Sequence, residues 1–293
     1  MGCILTDDNI NQCLVLSSVD GDLSTTVVLD DRGLAYGHGL FESMRLWSGK
    51  IPLQTEHLAR IYRDARRLNI SVEASTVARY LERFIAHLNC LGITAGVIKL
   101  MITAGSGARG YRIPEAMAPR YILRFSELPT DLLRSGEGGV GLYQCDYRLP
   151  QNTALAGVKH LNRLDQILAR SEWHDEYQDG LMLDQKNCVI ETTSANIFIR
   201  HANEWLTPRL TGAGIDGILR SLIINQLAPA KGLNVREGAL TMADISACSE
   251  WFLCNSVRGI VPIVNLMGRQ QWSIGDNTQK LCQALTERYL CYA

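Results

Sequence analysis

Six lysines against twenty-three arginines leave few candidates for a reactive amine, so each can be weighed by its flanks. Lys50, Lys186 and Lys231 sit in turn-like contexts, and Lys280 lies on a polar helix face. Lys99 and Lys159 have apolar flanks able to strip water from the ammonium, lower its pKa and free it for imine formation with an aldehyde. Lys99 stands in an alternating run, residues 97 to 102, where a snorkelling lysine is the ordinary explanation. Lys159 stands in Ala156-Gly157-Val158-Lys159-His160-Leu161-Asn162-Arg163-Leu164, between a small, flexible run and the opening of an amphipathic helix. We read it as the amine that holds an aldehyde cofactor.

Other residue types point to a pocket around that amine. Alternation over residues 40 to 47 puts Phe41, Ser43 and Arg45 on one face, which is either a pocket wall or a solvated strand face. Glu191, Thr193 and Ala195 share a face of a later strand; a carboxylate among small and apolar neighbours is either ion-paired or functional. Arg109 and Tyr111 end a glycine-rich loop without the Lys-Ser/Thr of a P-loop, and they suit a substrate carboxylate better than a nucleotide. Residues 212 to 217 read Gly-x-Gly-x-x-Gly, with Glu237 twenty residues on. Pro208 and three further residues separate the preceding strand from the first glycine, so the match to a dinucleotide fingerprint is weak. The start of an apolar-faced helix at Gly217 and Ile218 is nonetheless a place for phosphate, because first-turn N–H groups lack partners.

Those residues need elements to hold them. Two β-type runs, Cys13 to Leu16 and Thr25 to Leu29, flank the turn formers Asp20-Gly21-Asp22 and predict a hairpin. Helical spacing follows at residues 55 to 68, then again in a helix capped by Ser75 and ending near Gly92. Strands are expected at 96–103 and 120–126. Gly136, Gly138 and Gly139 mark a linker over 129–139, dividing a smaller N-terminal domain, 1–128, from a larger C-terminal one, 140–293, that carries Lys159. The second half predicts a strand at 140–147, a helix at 161–174 and strands at 180–184 and 188–199 about a turn at Asp184-Gln185-Lys186-Asn187. Beyond them come strands at 204–207, 233–236, 250–254 and 259–264 and a closing helix at 277–291.

At 293 residues and 46% hydrophobic, the chain is long enough for two sizeable cores. A formal net charge of -1 supplies no general field for nucleic acid or anionic membrane. Nine scattered cysteines contain no C-x-x-C pair and no metal-ligand spacing, which fits reduced thiols in a cytoplasmic protein without a metal. No run approaches eighteen apolar residues, and none resembles a secretory signal.

Taken in order, Glu191, Thr193, Asn196, Ile197, Phe198, Thr207, Ile215, Gly217, Ile218 and Arg220 resemble the signature of the class IV aminotransferase family, the fold-type IV enzymes that use pyridoxal 5'-phosphate. Trp205 departs from it, standing where the pattern prefers an aliphatic residue. The resemblance implies an α+β fold of two domains with the cofactor between them, and a homodimer. It also implies roles: Lys159 as the cofactor lysine and catalytic base, and Glu191 against the pyridine nitrogen. Arg45, Gly217 and Ile218 would hold the phosphate, helped by Arg60, Asn196, Asn255 and Ser256. Within the family, Asp31-Arg32-Gly33, Gly37-x-Gly39-x-Phe41, the 105–111 loop and above all Lys159 to Leu164 resemble the lyase branch. That branch splits 4-amino-4-deoxychorismate into p-aminobenzoate and pyruvate, with Ser43 matching a hydroxyl residue thought to assist the leaving group and Arg109 and Tyr111 meeting the substrate. The alternative is a transaminase of D-amino or branched-chain amino acids.

Overall fold

A computed structural model describes residues 16–107, 109–115, 117–128 and 138–293. Most of the expected 129–139 linker and of the run Cys13 to Leu16 lies outside them. The first part contains strands β1 (Ser17–Val19) and β2 (Asp22–Leu23), helix α1 (Arg32–Tyr36), β3 (Gly39–Leu46), helices α2 (Gln54–Arg67) and α3 (Ala74–Cys90), β4 (Gly96–Thr103) and β5 (Arg120–Ser126). Its antiparallel sheet runs in the order β2-β1-β5-β4-β3. The turn at Asp20-Gly21 is as expected. The strand after it is only two residues long, however, and residues 25–29 are not a strand.

Period-two alternation settles which face of this sheet is covered. Leu40, Met44 and Leu46 of β3, Ile98 and Ile102 of β4 and Phe125 of β5 pack against Ile61 of α2 and Leu81 and Phe84 of α3. Each fully buried side chain of this kind contributes about 1.5–3 kcal/mol. The opposite face carries Phe41, Ser43 and Arg45, and it turns toward the rest of the chain. Helix α3 begins without a side-chain cap, at Glu73, so Ser75 lies inside the first turn instead of capping it.

The second sheet is built from β6 (Val140–Leu149), β7 (Asp179–Asp184), β8 (Val189–Thr192), β9 (Asn196–His201), β10 (Glu204–Pro208), β11 (Asn234–Gly238), β12 (Glu250–Asn255), β13 (Gly259–Leu266) and β14 (Gln270–Gln271). Its order is β11-β10-β9-β12-β13-β6-β7-β8, with β14 paired to β13. Both faces are buried. Ile197, Ile199, Trp251 and Leu253 enter one core, while Phe198, Phe252 and Cys254 enter the other, as alternation requires. Helix α4 (Leu164–Arg170) precedes β7. Helix α5 (Ile218–Leu222) continues through a π-helical turn (Ile223–Leu227) into α6 (Ala228–Ala230); α7 (Met242–Ala247) and α8 (Asp276–Arg288) follow, and a short 3-10 turn (Leu290–Tyr292) comes after α8.

Two expectations fail for physical reasons. The helix expected from residue 161 starts at Leu164, because residues 159–161 are extended and hydrogen-bonded to β3. The single strand expected over 188–199 is two strands: Thr192 N–H donates to Ala195 O (2.8 Å), and Asp179 accepts from the hydroxyls of Thr192, Thr193 and Ser194. Thr193 and Ala195 therefore sit in a tight turn and do not share a strand face with Glu191.

Candidate active site

The Lys159 segment is stitched to both sheets. On one side Phe41 N–H donates to Lys159 O (3.0 Å) and Leu161 N–H to Gly39 O (2.9 Å), extending the edge of β3. On the other, Gly157 N–H donates to Gly214 O (2.8 Å) and Asp216 N–H to Gly157 O (3.1 Å). Gly157 takes a φ of +81°, a left-handed conformation that glycine adopts at no steric cost. Lys159 N–H itself donates to Asp64 Oδ2 of α2 at 3.1 Å. Four backbone–backbone bonds and one to a carboxylate thus fix where the side chain starts.

The amine end is lodged 4.2 Å from the centroid of the Phe41 ring. Loss of water around it, reinforced by the Arg60 guanidinium, pulls Lys159 from 10.5 down to about 8, against the opposing pull of Glu42 and Glu191. Glu191, buried on β8, accepts from Ile215 N–H at 2.8 Å. Its burial raises the carboxyl to about 7 even though that N–H, Arg163 and Lys159 favour the charged form. A buried amine held down and a buried carboxyl held up make an acid–base pair poised near neutrality.

Beside them lies a cluster of which sequence reasoning named only Arg60. Glu42, on the helix-covered face of β3, receives bonds from Arg60 Nε (2.7 Å) and Nη2 (2.6 Å) and stands 2.6 Å from His57 Nδ1. Burial alone would raise this carboxyl, but the Arg60 guanidinium and the His57 contact outweigh it and hold it at about 2. Arg60 also donates to Asp216 O (3.1 Å), so one guanidinium ties β3 to the loop before α5. The signal was present in the sequence: His57, Arg60 and Asp64 recur at helical spacing on the buried side of α2.

Asn255 and Ser256 end β12 close to the open face of β3, where Ser256 Oγ donates to Ser43 O (3.1 Å) and Asn255 Oδ1 accepts from Val257 and Arg258 N–H groups. Asn196 acts on the loop: its Nδ2 donates to Ile215 O (2.8 Å), and a Cβ at Gly217 would come 2.0 Å from its Oδ1, so Gly217 admits this contact. Arg45 donates to Val257 O (3.0 Å) under the ring of Tyr292 (5.2 Å), whereas Arg60 and, more weakly, Arg163 are the guanidiniums that act on Lys159.

Arg109 and Tyr111 stand apart on an exposed loop, Tyr111 at 85% exposure. Among the described residues no hydrogen bond or ion pair joins them to the Lys159 surroundings. Lys99, which alternation alone assigns to snorkelling, reaches the site instead. It is the cross-strand neighbour of Ser43, and its Nζ lies 4.9 Å from the centroid of the ring that Lys159 also touches. Glu237, the acid of the weak dinucleotide pattern, pairs with Arg220 at 2.6 Å. No group of three potential metal ligands occurs among the described residues.

The chain is 31% identical over 268 residues to an aminodeoxychorismate lyase from Vibrio harveyi, covering 90% of this chain and 97% of that protein. It is 28% identical over 250 residues to a D-alanine aminotransferase from Listeria monocytogenes, covering 84% of each. Its structure matches the 4-amino-4-deoxychorismate lyase from Pseudomonas aeruginosa with a TM-score of 0.88 at 37% identity, over 94% of this chain and 99% of that one. Residues 39–266 match the family model for amino-transferase class IV, and that span contains Lys159, Glu191 and both strands that face them: the chain belongs to the class IV aminotransferase family, with its α+β fold.

Proposed function

We propose that this chain is a pyridoxal 5'-phosphate-dependent lyase that converts 4-amino-4-deoxychorismate to p-aminobenzoate and pyruvate, supplying p-aminobenzoate for folate synthesis in the cytoplasm. The observation that carries this reading is the likeness to two such lyases, at 31% and 37% identity over nine-tenths or more of the chain. The site fits the cofactor. A lysine amine lowered to about 8 can bond an aldehyde at neutral pH, and a carboxyl near 7 can share a proton with a pyridine nitrogen. Arg60, the backbone at Gly217 and Ile218, and Asn255, Ser256 and Arg45 are proposed to hold the phosphate, with Asn196 fixing the loop that contains Gly217.

When bound, the cofactor supplies an electron sink next to the substrate carbon that loses a proton. The chain's own residues do the rest. Neutral Lys159 takes the proton from C4 of the substrate, and Glu191 holds the cofactor ring in its electron-accepting form. Ser43, on the same strand face as Phe41, is proposed to donate a proton to the oxygen that leaves from C3 with the pyruvate unit. Lys99 offers a cation to a substrate carboxylate one strand further on, and Arg109 and Tyr111 reach the same substrate from a second copy of the chain. A second reading, a transaminase, is favoured by the D-alanine aminotransferase likeness.

Loading the purified protein with cofactor and adding aminodeoxychorismate should release p-aminobenzoate and pyruvate in equal amounts, without amine left on the cofactor. Absence of both products from fully loaded protein would overturn the lyase assignment, and amine transfer from an added amino acid would establish the second reading. Lys159→Ala should lower turnover by about 10²–10⁴-fold or more while leaving the fold intact. Glu191→Gln should lower the rate without abolishing it.

A further inference from the structure

Behind the Lys159 segment, between α2 and the loop before α5, lies a cleft of about 480 Å³, large enough for a small metabolite. Its wall includes Arg63, Arg67, Arg209 and Arg220, against the carboxylates of Asp216 and Glu237. Two of the four guanidiniums are neutralised in place. Arg63 donates to Asp216 Oδ2 (2.8 Å) and to Asp64 Oδ1 (2.9 Å), and Arg220 donates to Glu237 Oε2 (2.6 Å). The other two are not. Arg67 donates to Ala154 O (3.0 Å) and Arg209 to Glu237 O (3.3 Å), both neutral carbonyls, and among the described residues neither has a carboxylate within ion-pair distance.

We propose that this cleft is a second anion site, distinct from the pocket at Lys159, and that it takes the phosphate group of a small metabolite between Arg67 and Arg209. A phosphate monoester carries about -1.5 to -2 charges at neutral pH, which matches two uncompensated guanidiniums, and each planar fork can meet two of its oxygens. The hydroxyl of Thr211 lines the same wall and adds a donor of the kind phosphate accepts.

The position gives the site a consequence. Gly157 forms part of the wall, and Arg67 holds the carbonyl of Ala154, five residues before Lys159. An anion that engages Arg67 therefore acts on the loop from which the reactive amine is suspended, without touching the substrate. The inference is independent of which reaction the enzyme performs.

Inorganic phosphate is a sufficient probe. Titrated into the cofactor-saturated enzyme at constant ionic strength, with chloride as the balancing anion, it should bind saturably by calorimetry and raise the melting temperature. The Arg67→Gln and Arg209→Gln single variants should each weaken that binding by about tenfold. Both residues are exposed, and each variant's far-ultraviolet circular dichroism serves as the folding check. The proposal is overturned if the wild-type enzyme shows no saturable phosphate binding beyond chloride, or if both folded variants bind phosphate as tightly as the wild type does.

Discussion

An amine that titrates near 8 is half neutral at a pH where a free lysine, at 10.5, is almost wholly charged. Burial does this, aided by Arg60, and the shift is the physical reason that Lys159, among six lysines, is suited to bond an aldehyde. Because the neutral form is the nucleophile, the rate at which cofactor-free protein is labelled on Lys159 by an aldehyde and borohydride should follow the neutral fraction. It should rise about tenfold per pH unit below 8 and flatten above it, when label is counted on the peptide containing Lys159, whereas labelling of N-acetyl-lysine should keep rising toward 10.5. A rise that continues to pH 10 would mean that the amine is hydrated and not lodged over Phe41. The burial of Lys159 was legible from its apolar flanks, whereas that of Glu191 was reached through a strand face with Thr193 and Ala195 that the turn after β8 does not form. Lys99 was not, because its place beside Ser43 depends on the register of β3 against β4, which no local pattern contains.

Helix α2 is held on β3 by apolar packing and by one buried polar knot, and the knot makes the docking specific. Glu42 sits on the same face as Leu40 and Met44 and would be costly there without Arg60 and His57. Glu42→Gln leaves the guanidinium without its counter-charge and should destabilise the fold by about 3–5 kcal/mol, read by urea unfolding at pH 7. The pH dependence has a definite sign. The carboxyl is held at about 2 in the folded chain against 4.5 ordinarily, so its contribution is complete above 4.5 and is lost as pH falls toward 2. The stability gap between wild type and variant should accordingly narrow over that interval, and a gap unchanged from pH 6 to pH 3 would show that the charge is not what docks the helix. Element type was largely readable from spacing, as in α2 or β4. The failures have a common cause: residues 159–161 and 193–195 spend their hydrogen bonds on partners distant in sequence, β3 for the first and Asp179 for the second, so local periodicity misassigns them.

On the scale of the whole molecule, the Lys159 segment is where two sheets with separate cores meet, and the apolar surface left over indicates what else the molecule meets. Leu164, Ile167 and Leu168 recur at helical spacing on α4, directly after the lysine segment, with exposures of 70%, 61% and 51%. Leu34 on α1 and Tyr111 on the 105–111 loop are exposed as well, at 65% and 85%. Single exposed leucines are ordinary, but a stripe along one helix face is not, since covering it gains about 25 cal/mol per Å² of apolar surface. We propose a second copy of the chain as the covering partner, which would also bring Arg109 and Tyr111 to a site they do not reach in one copy. At micromolar concentration the protein should sediment at about twice its 32.5 kDa chain mass. Ile167→Glu combined with Leu168→Glu should shift it to the monomer and raise KM more than it lowers kcat, because the substrate contacts from across the interface would be lost while Lys159 and Glu191 stay in place. Sedimentation of the wild-type protein as a monomer would remove the stripe as an interface, and with it the role given to Arg109 and Tyr111.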